Sequence, residues 1–134
     1  MRARLIVSFA GIVAALLAAG AFAAGLGIQR SSAAGVTVAV TPVNLAPGAR
    51  SWDFKVVLDT HSQDLSDDLL KSAVLLDGKG GRHSPLSWKG ASPGGHHREG
   101  ILSFKPLGPD VKTVELAIQR PAEPSPRTFR WQLE

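Results

Sequence analysis

The sequence predicts an all-β fold: an immunoglobulin-like β-sandwich of about seven strands, preceded by an N-terminal hydrophobic signal or anchor helix. Three observations lead there. Apolar and polar side chains alternate with a period of two in several short segments. Turn residues punctuate those segments every 8–15 residues or so. Beyond the N-terminus no stretch sustains helical spacing for more than about two turns.

The chain begins with a short basic stretch, Met1-Arg2-Ala3-Arg4. From Leu5 to Ile28 it then carries no charge, and Ser8 is the only polar side chain. A basic start, an apolar run and small residues after it are the pattern of a secretory signal peptide. Ala21-Phe22-Ala23 fits a cleavage site, and Ser31-Ser32-Ala33 is a second, weaker match. The run of 24 residues is also long enough to cross the roughly 30 Å hydrocarbon core of a bilayer, so an uncleaved anchor is the alternative. Arg2 and Arg4 before the run favour an N-terminus on the cytoplasmic side. Either fate exports the remainder, as a periplasmic or extracellular domain or one tethered to the cytoplasmic membrane. The expected division is residues 1–33 as leader and short spacer and residues 34–134 as one sandwich domain.

Within that domain, Val36–Val43 alternates, and Pro42 marks an edge or an end. Trp52–Leu58 is the strongest strand, with Trp52, Phe54, Val56 and Leu58 on one face. Asp64–Lys71 has the acidic start of a short helical turn. Ala73–Leu76, Leu86–Trp88, Gly100–Lys105, Thr113–Ile118 and Phe129–Leu133 complete the set. They are separated by Asp77-Gly78, Pro93-Gly94-Gly95, Gly108-Pro109 and the proline-bounded connector Pro121–Pro126. Trp52 and Trp131 belong to apolar faces, whereas Trp88, between Ser87 and Lys89, is expected to be exposed.

Composition excludes several functions. Arg2, Arg4 and Arg30 supply three of the four net positive charges, and beyond residue 34 twelve basic residues face eleven acidic ones with no cationic run. Nucleic-acid binding needs such a patch to displace counterions. The absence of cysteine removes a disulfide framework, a thiolate metal site and a cysteine nucleophile. The apolar core alone must therefore hold the domain.

Candidate chemistry gathers in two polar knots, Asp59-Thr60-His61-Ser62 and the stretch from Trp88 to Phe104, which delivers His96 and His97 from a glycine loop. His61, His96 and His97, with Asp59 as carboxylate ligand or orienter, suit zinc or copper. Adjacent strand residues point to opposite faces, so both His96 and His97 could reach one ion only from a loop. The same residues also suit the plainer task of satisfying backbone groups at turns. A third reading makes Trp88, Arg98 and Glu99 contacts for a protein or other cell-envelope partner. Catalysis is not expected. Asp59, His61 and Ser62 are too close in sequence for triad geometry, and no G-x-S-x-G elbow is present. Asp67 and Asp68 read as helix-start acids.

Leu58-Asp59-Thr60-His61-Ser62, Asp67-Asp68-Leu69, Trp88-Lys89-Gly90, Pro93-Gly94-Gly95-His96-His97-Arg98-Glu99-Gly100 and Arg127-Thr128-Phe129-Arg130-Trp131 together resemble a pattern in uncharacterised prokaryotic exported or membrane-anchored domains. The resemblance spans about residues 36–133. It implies a domain type with no established activity and assigns no functional residue. The expectation is an exported, non-catalytic structural or interaction module.

Overall fold

The computed structural model describes residues 26–133. Most of the expected signal or anchor segment lies outside them, and among the described residues no helix is long and apolar enough to cross a membrane. The described chain is all-β, with strands β1 (Gln29–Ala33), β2 (Val36–Asn44), β3 (Trp52–Thr60), β4 (Ala73–Leu76), β5 (Arg82–His83), β6 (Ser87–Gly90), β7 (His97–Phe104), β8 (Thr113–Ile118) and β9 (Arg127–Gln132). One short helix, α1 (Leu69–Ser72), precedes β4. The strands form two antiparallel sheets, in the orders β1-β2-β3-β7-β6 and β5-β4-β8-β9.

The period-two rows supply the core between the sheets. Val36, Val38 and Val40 of β2, Trp52, Phe54, Val56 and Leu58 of β3, and Leu102 and Phe104 of β7 are buried from one side. Leu75, Val114, Leu116, Ile118, Phe129 and Trp131 are buried from the other. Phe54 meets Phe104 edge-on at 5.8 Å and reaches across to Trp131, with ring centroids 5.5 Å apart. Each large side chain so buried contributes about 1.5–3 kcal/mol.

Two strands were not expected. Gln29–Ala33, read as the end of the leader and a spacer, forms β1 and pairs along β2 from Gln29↔Val40 to Ala33↔Val36. QRSSA has no apolar row because β1 is an edge strand with little to bury. The Gln29 side chain accepts the Arg130 N–H at 2.9 Å and donates to the Arg130 carbonyl. It therefore acts as one rung of a ladder, covering the free edge of β9 that would otherwise invite pairing with another chain. The second addition, β5, has only two residues. Asp77 holds the turn before it by accepting the Lys79 and Gly81 amides and the His83 ring. The Lys79 amide foremost, and then His83, keep the Asp77 carboxyl below the usual carboxylate range.

The sandwich has two distinct ends. The near end, where the chain arrives through Leu26–Ile28, holds the 45–51 turn, the finish of β7 and the start of β8; here the Trp131 indole donates to the Gly27 carbonyl at 2.7 Å. The far end holds the β1–β2 turn, the 61–68 segment and the 91–96 loop.

Candidate functional site

Every residue expected to bind a metal or a partner lies toward the far end, except Trp88 farther along β6. The β3–β7 register sets Asp59 opposite His97, and alternation along β7 puts His97 and Glu99 on the same outer face. The His97 Nδ1 hydrogen-bonds the Asp59 carboxylate, and its Nε2 lies 3.5 Å from Glu99 Oε2. All three side chains are a little over half exposed. The Asp59 carboxylate, helped by Glu99, raises the His97 imidazole above its ordinary pKa despite partial desolvation.

His61 and His96 are exposed and do not join this cluster. His96 contributes its carbonyl, which accepts the Thr60 amide at 2.9 Å. The pairing with Asp59 draws His97 into β7, so the two adjacent imidazoles do not share the loop that a common ion would require. Among the described residues no group of three or more His, Cys, Asp or Glu side chains is arranged to hold a metal ion.

Arg98 and Trp88 do not stand outward as the contact reading expected. With His97 and Glu99 facing out, alternation turns Arg98 inward, where it is 1% exposed. Its guanidinium donates to the carbonyls of Asp67 at 2.7 Å, Ala91 at 3.2 Å and Leu65 at 3.3 Å. It lies 5.8 Å from the centre of the half-buried Trp88 ring, within cation–π range. The Trp88 indole itself donates to the Ala91 carbonyl at 3.0 Å. A pair of glycines makes room for that indole. Gly90 faces Gly100 across β6 and β7, and a Cβ on Gly100 would come within 2.7 Å of Gly90 Cα, the Lys89 carbonyl and the Trp88 ring.

The loop is locked to the 61–68 segment as well. Gly94 donates to the Leu65 carbonyl at 2.7 Å, Leu65 to the Gly95 carbonyl at 3.1 Å, and Gly95 to the Asp64 carboxylate at 3.0 Å. Gly94 and Gly95, at φ 114° and 77°, adopt a backbone that side-chain-bearing residues rarely take. The stretch WKGASPGGHHREG is thus a bracket closed around one buried arginine.

A second buried assembly was not foreseen. Arg120 donates to both Asp67 oxygens at 3.0 Å and to Glu123 at 3.0 Å. Glu123 also receives two bonds from Arg127, at 2.9 and 2.8 Å. Arg127 then reaches the carbonyls of Ser31, Ala33 and Val36, each at 2.8 Å. The chain of charges fastens the β1–β2 turn to the second sheet. Arg127, with Arg120, holds the Glu123 carboxyl below its ordinary range, against the effect of burial. Burial alone would lower the Arg120 value, but its bonds to Asp67 and Glu123 outweigh that and raise it. One sequence signal existed: Arg127, Phe129 and Trp131 share a parity, as do Leu116, Ile118 and Arg120.

Elsewhere, an open groove of about 860 Å³ crosses the outer face of the second sheet beside Val74, Leu76, Ala117 and Thr128. None of His61, His96, His97 or Asp59 lines it. No family model matches this chain, and no curated protein or solved structure shows detectable similarity to it.

Proposed function

We propose that this chain is an exported, non-catalytic module of the cell envelope, of the prokaryotic domain type its motifs resemble, which presents its far-end loops to a partner. The observation that carries the reading is the opposition of the two ends. The uncharged run Leu5–Ile28 meets the fold at the near end. The loops bearing His61, Ser92 and His96 are at the other, about 30 Å away along nine-residue β3. A tether at one end and a stiff, polar loop pair at the other suit display.

The fold proposed for the module is immunoglobulin-like. In support, β2-β3-β7-β6 follows the A-B-E-D order and β5-β4-β8-β9 follows C′-C-F-G, with β1 an added edge strand. The rival function is zinc or copper binding. It draws on the Asp59–His97–Glu99 contacts, with His61 and His96 exposed at the same end.

Photo-crosslinking amino acids at Ser92 and His96, with Lys55 on the sheet face as control, test the display reading in intact cells. A discrete adduct of the same mass from both far-end positions and none from Lys55 is expected. Equal labelling at all three overturns it. Stoichiometric uptake of zinc or copper(II), abolished by Asp59→Asn/His97→Gln, would replace it with the metal reading.

A further inference from the structure

Apolar side chains gather at the near end. Half-buried Leu26, Leu45, Ala49, Leu107 and Leu133 close the core there. Beside them Val43 is 58% exposed and Leu86 63%, large apolar side chains left in contact with solvent. Leu86 belongs to this end because its amide donates to the Ser103 carbonyl, next to the Trp52↔Phe104 pair. Arg50 and Lys105, both exposed, lie at the same end, Arg50 in the turn before Trp52 and Lys105 next in sequence to Phe104. Of the exposed acids, Asp59, Asp64, Asp68 and Glu99 lie at or near the far end, and Asp110, in the loop before β8 at the near end, is paired with Lys79.

The connection to the N-terminal run leaves no slack. Leu26 packs on the core, Gly27 is hydrogen-bonded to Trp131, and Gln29 begins β1. The 21 uncharged residues from Leu5 to Gly25 would span about 31 Å as a helix, the thickness of a hydrocarbon core. A bilayer holding that run therefore ends against the sandwich itself.

We propose that the near end is a lipid-docking surface that seats on anionic phospholipid headgroups. Val43 and Leu86 enter the interfacial zone, and Arg50 and Lys105 meet the phosphates. The inference rests on the tethered form of the display reading, and it fixes the module's attitude: far-end loops pointing away from the bilayer. Apolar area and cations act together at such a surface, and each cation there strengthens binding by about fivefold.

The chain has no cysteine, so single labels can be placed cleanly. The full chain, with a spin label at Val43→Cys or at Ser92→Cys, is reconstituted into vesicles of equal parts phosphatidylglycerol and phosphatidylcholine. Collisions with oxygen and with a water-soluble nickel chelate report depth. A label at 43 that is oxygen-rich and shielded from nickel, with a label at 92 fully open to nickel, is the expected result. Arg50→Gln/Lys105→Gln should lower the docked-to-undocked ratio about 30-fold at low salt. A chain that floats with the vesicles but whose label at 43 is as open to nickel as the one at 92 overturns the docking surface and leaves the tether standing. A chain that does not float overturns both.

Discussion

Replacing Glu123 by alanine tests whether the far end depends on its buried charges. The Glu123 side chain is 11% exposed and accepts three bonds from Arg120 and Arg127, whose side chains are each 4% exposed. After the substitution Arg120 still has the bidentate Asp67. Arg127 keeps three carbonyls but loses its countercharge. Removing one member of a buried ion pair typically destabilises by about 3–5 kcal/mol, because the other charge is left uncompensated. That is a large part of the roughly 5–15 kcal/mol that a domain has in total. Urea unfolding followed by tryptophan fluorescence reads the loss, and hydrogen exchange at residues 29–33 reads where it falls, since Arg127 holds the β1–β2 turn. The pH dependence supplies a second check. Because the folded state depresses the Glu123 pKa, the unfolded chain binds more protons between the folded and unfolded values. The contribution is therefore complete above the ordinary carboxylate range and is lost as pH falls through the lower folded value. Glu123→Gln should flatten stability in that acidic window. A loss below about 1 kcal/mol, or an unchanged acid limb, would refute the countercharge argument.

Three further outcomes follow from the same geometry. Arg98→Leu leaves the Asp67 carbonyl without its donor, while those of Leu65 and Ala91 keep Gly94 and Trp88, and should destabilise by about 1–3 kcal/mol in urea titration; Arg98→Lys, with no forked donor, should recover only part of that. Gly100→Ala drives a methyl against Gly90, Lys89 and the Trp88 ring and should lower stability by about 1–3 kcal/mol, read as a drop in melting temperature with altered tryptophan emission. Asp59→Asn should lower the His97 pKa toward its ordinary value in an NMR titration; since the folded value is raised, any stabilisation is full below the unfolded value and fades as pH climbs through the folded one.

Where strands bury an apolar row, the sequence announces them. Trp52, Phe54, Val56 and Leu58 need no partner to be recognised, and the same holds for Val114, Leu116 and Ile118. Strand β1 is silent because its stability comes from outside: the β2 ladder, a Gln29 side chain on Arg130, and Arg127 on its turn. Strand β5 is silent because two residues have no period. At the site, Asp59 and His97 do meet, and the reason is register, which a hydrophobic pattern fixes only once the partner strand is known. His61 and His96 fall outside the contact because spacing along the chain carries no information about which way a loop side chain turns.

The three buried arginines show how close the remainder came to being legible. Arg98 shares its parity with Leu102 and Phe104, Arg120 with Leu116 and Ile118, and Arg127 with Phe129 and Trp131. Each continues an inward-facing row past the point where apolar residues stop, so the far end of the core is finished with guanidinium groups bonded to backbone carbonyls and to Asp67 and Glu123. An apolar plug would fill that space equally well, but it would not fix the loops that cross it. Guanidinium donors aimed at Leu65, Asp67 and Ala91 hold the 61–68 and 91–96 segments in one arrangement while leaving His61, Ser92 and His96 exposed. A surface ordered before contact loses less conformational entropy on binding, by about 0.5–1.5 kcal/mol for each side chain already immobilised. If the far end is the contact surface, Arg98 governs affinity without touching the partner, and it does so through the order of the loop it holds.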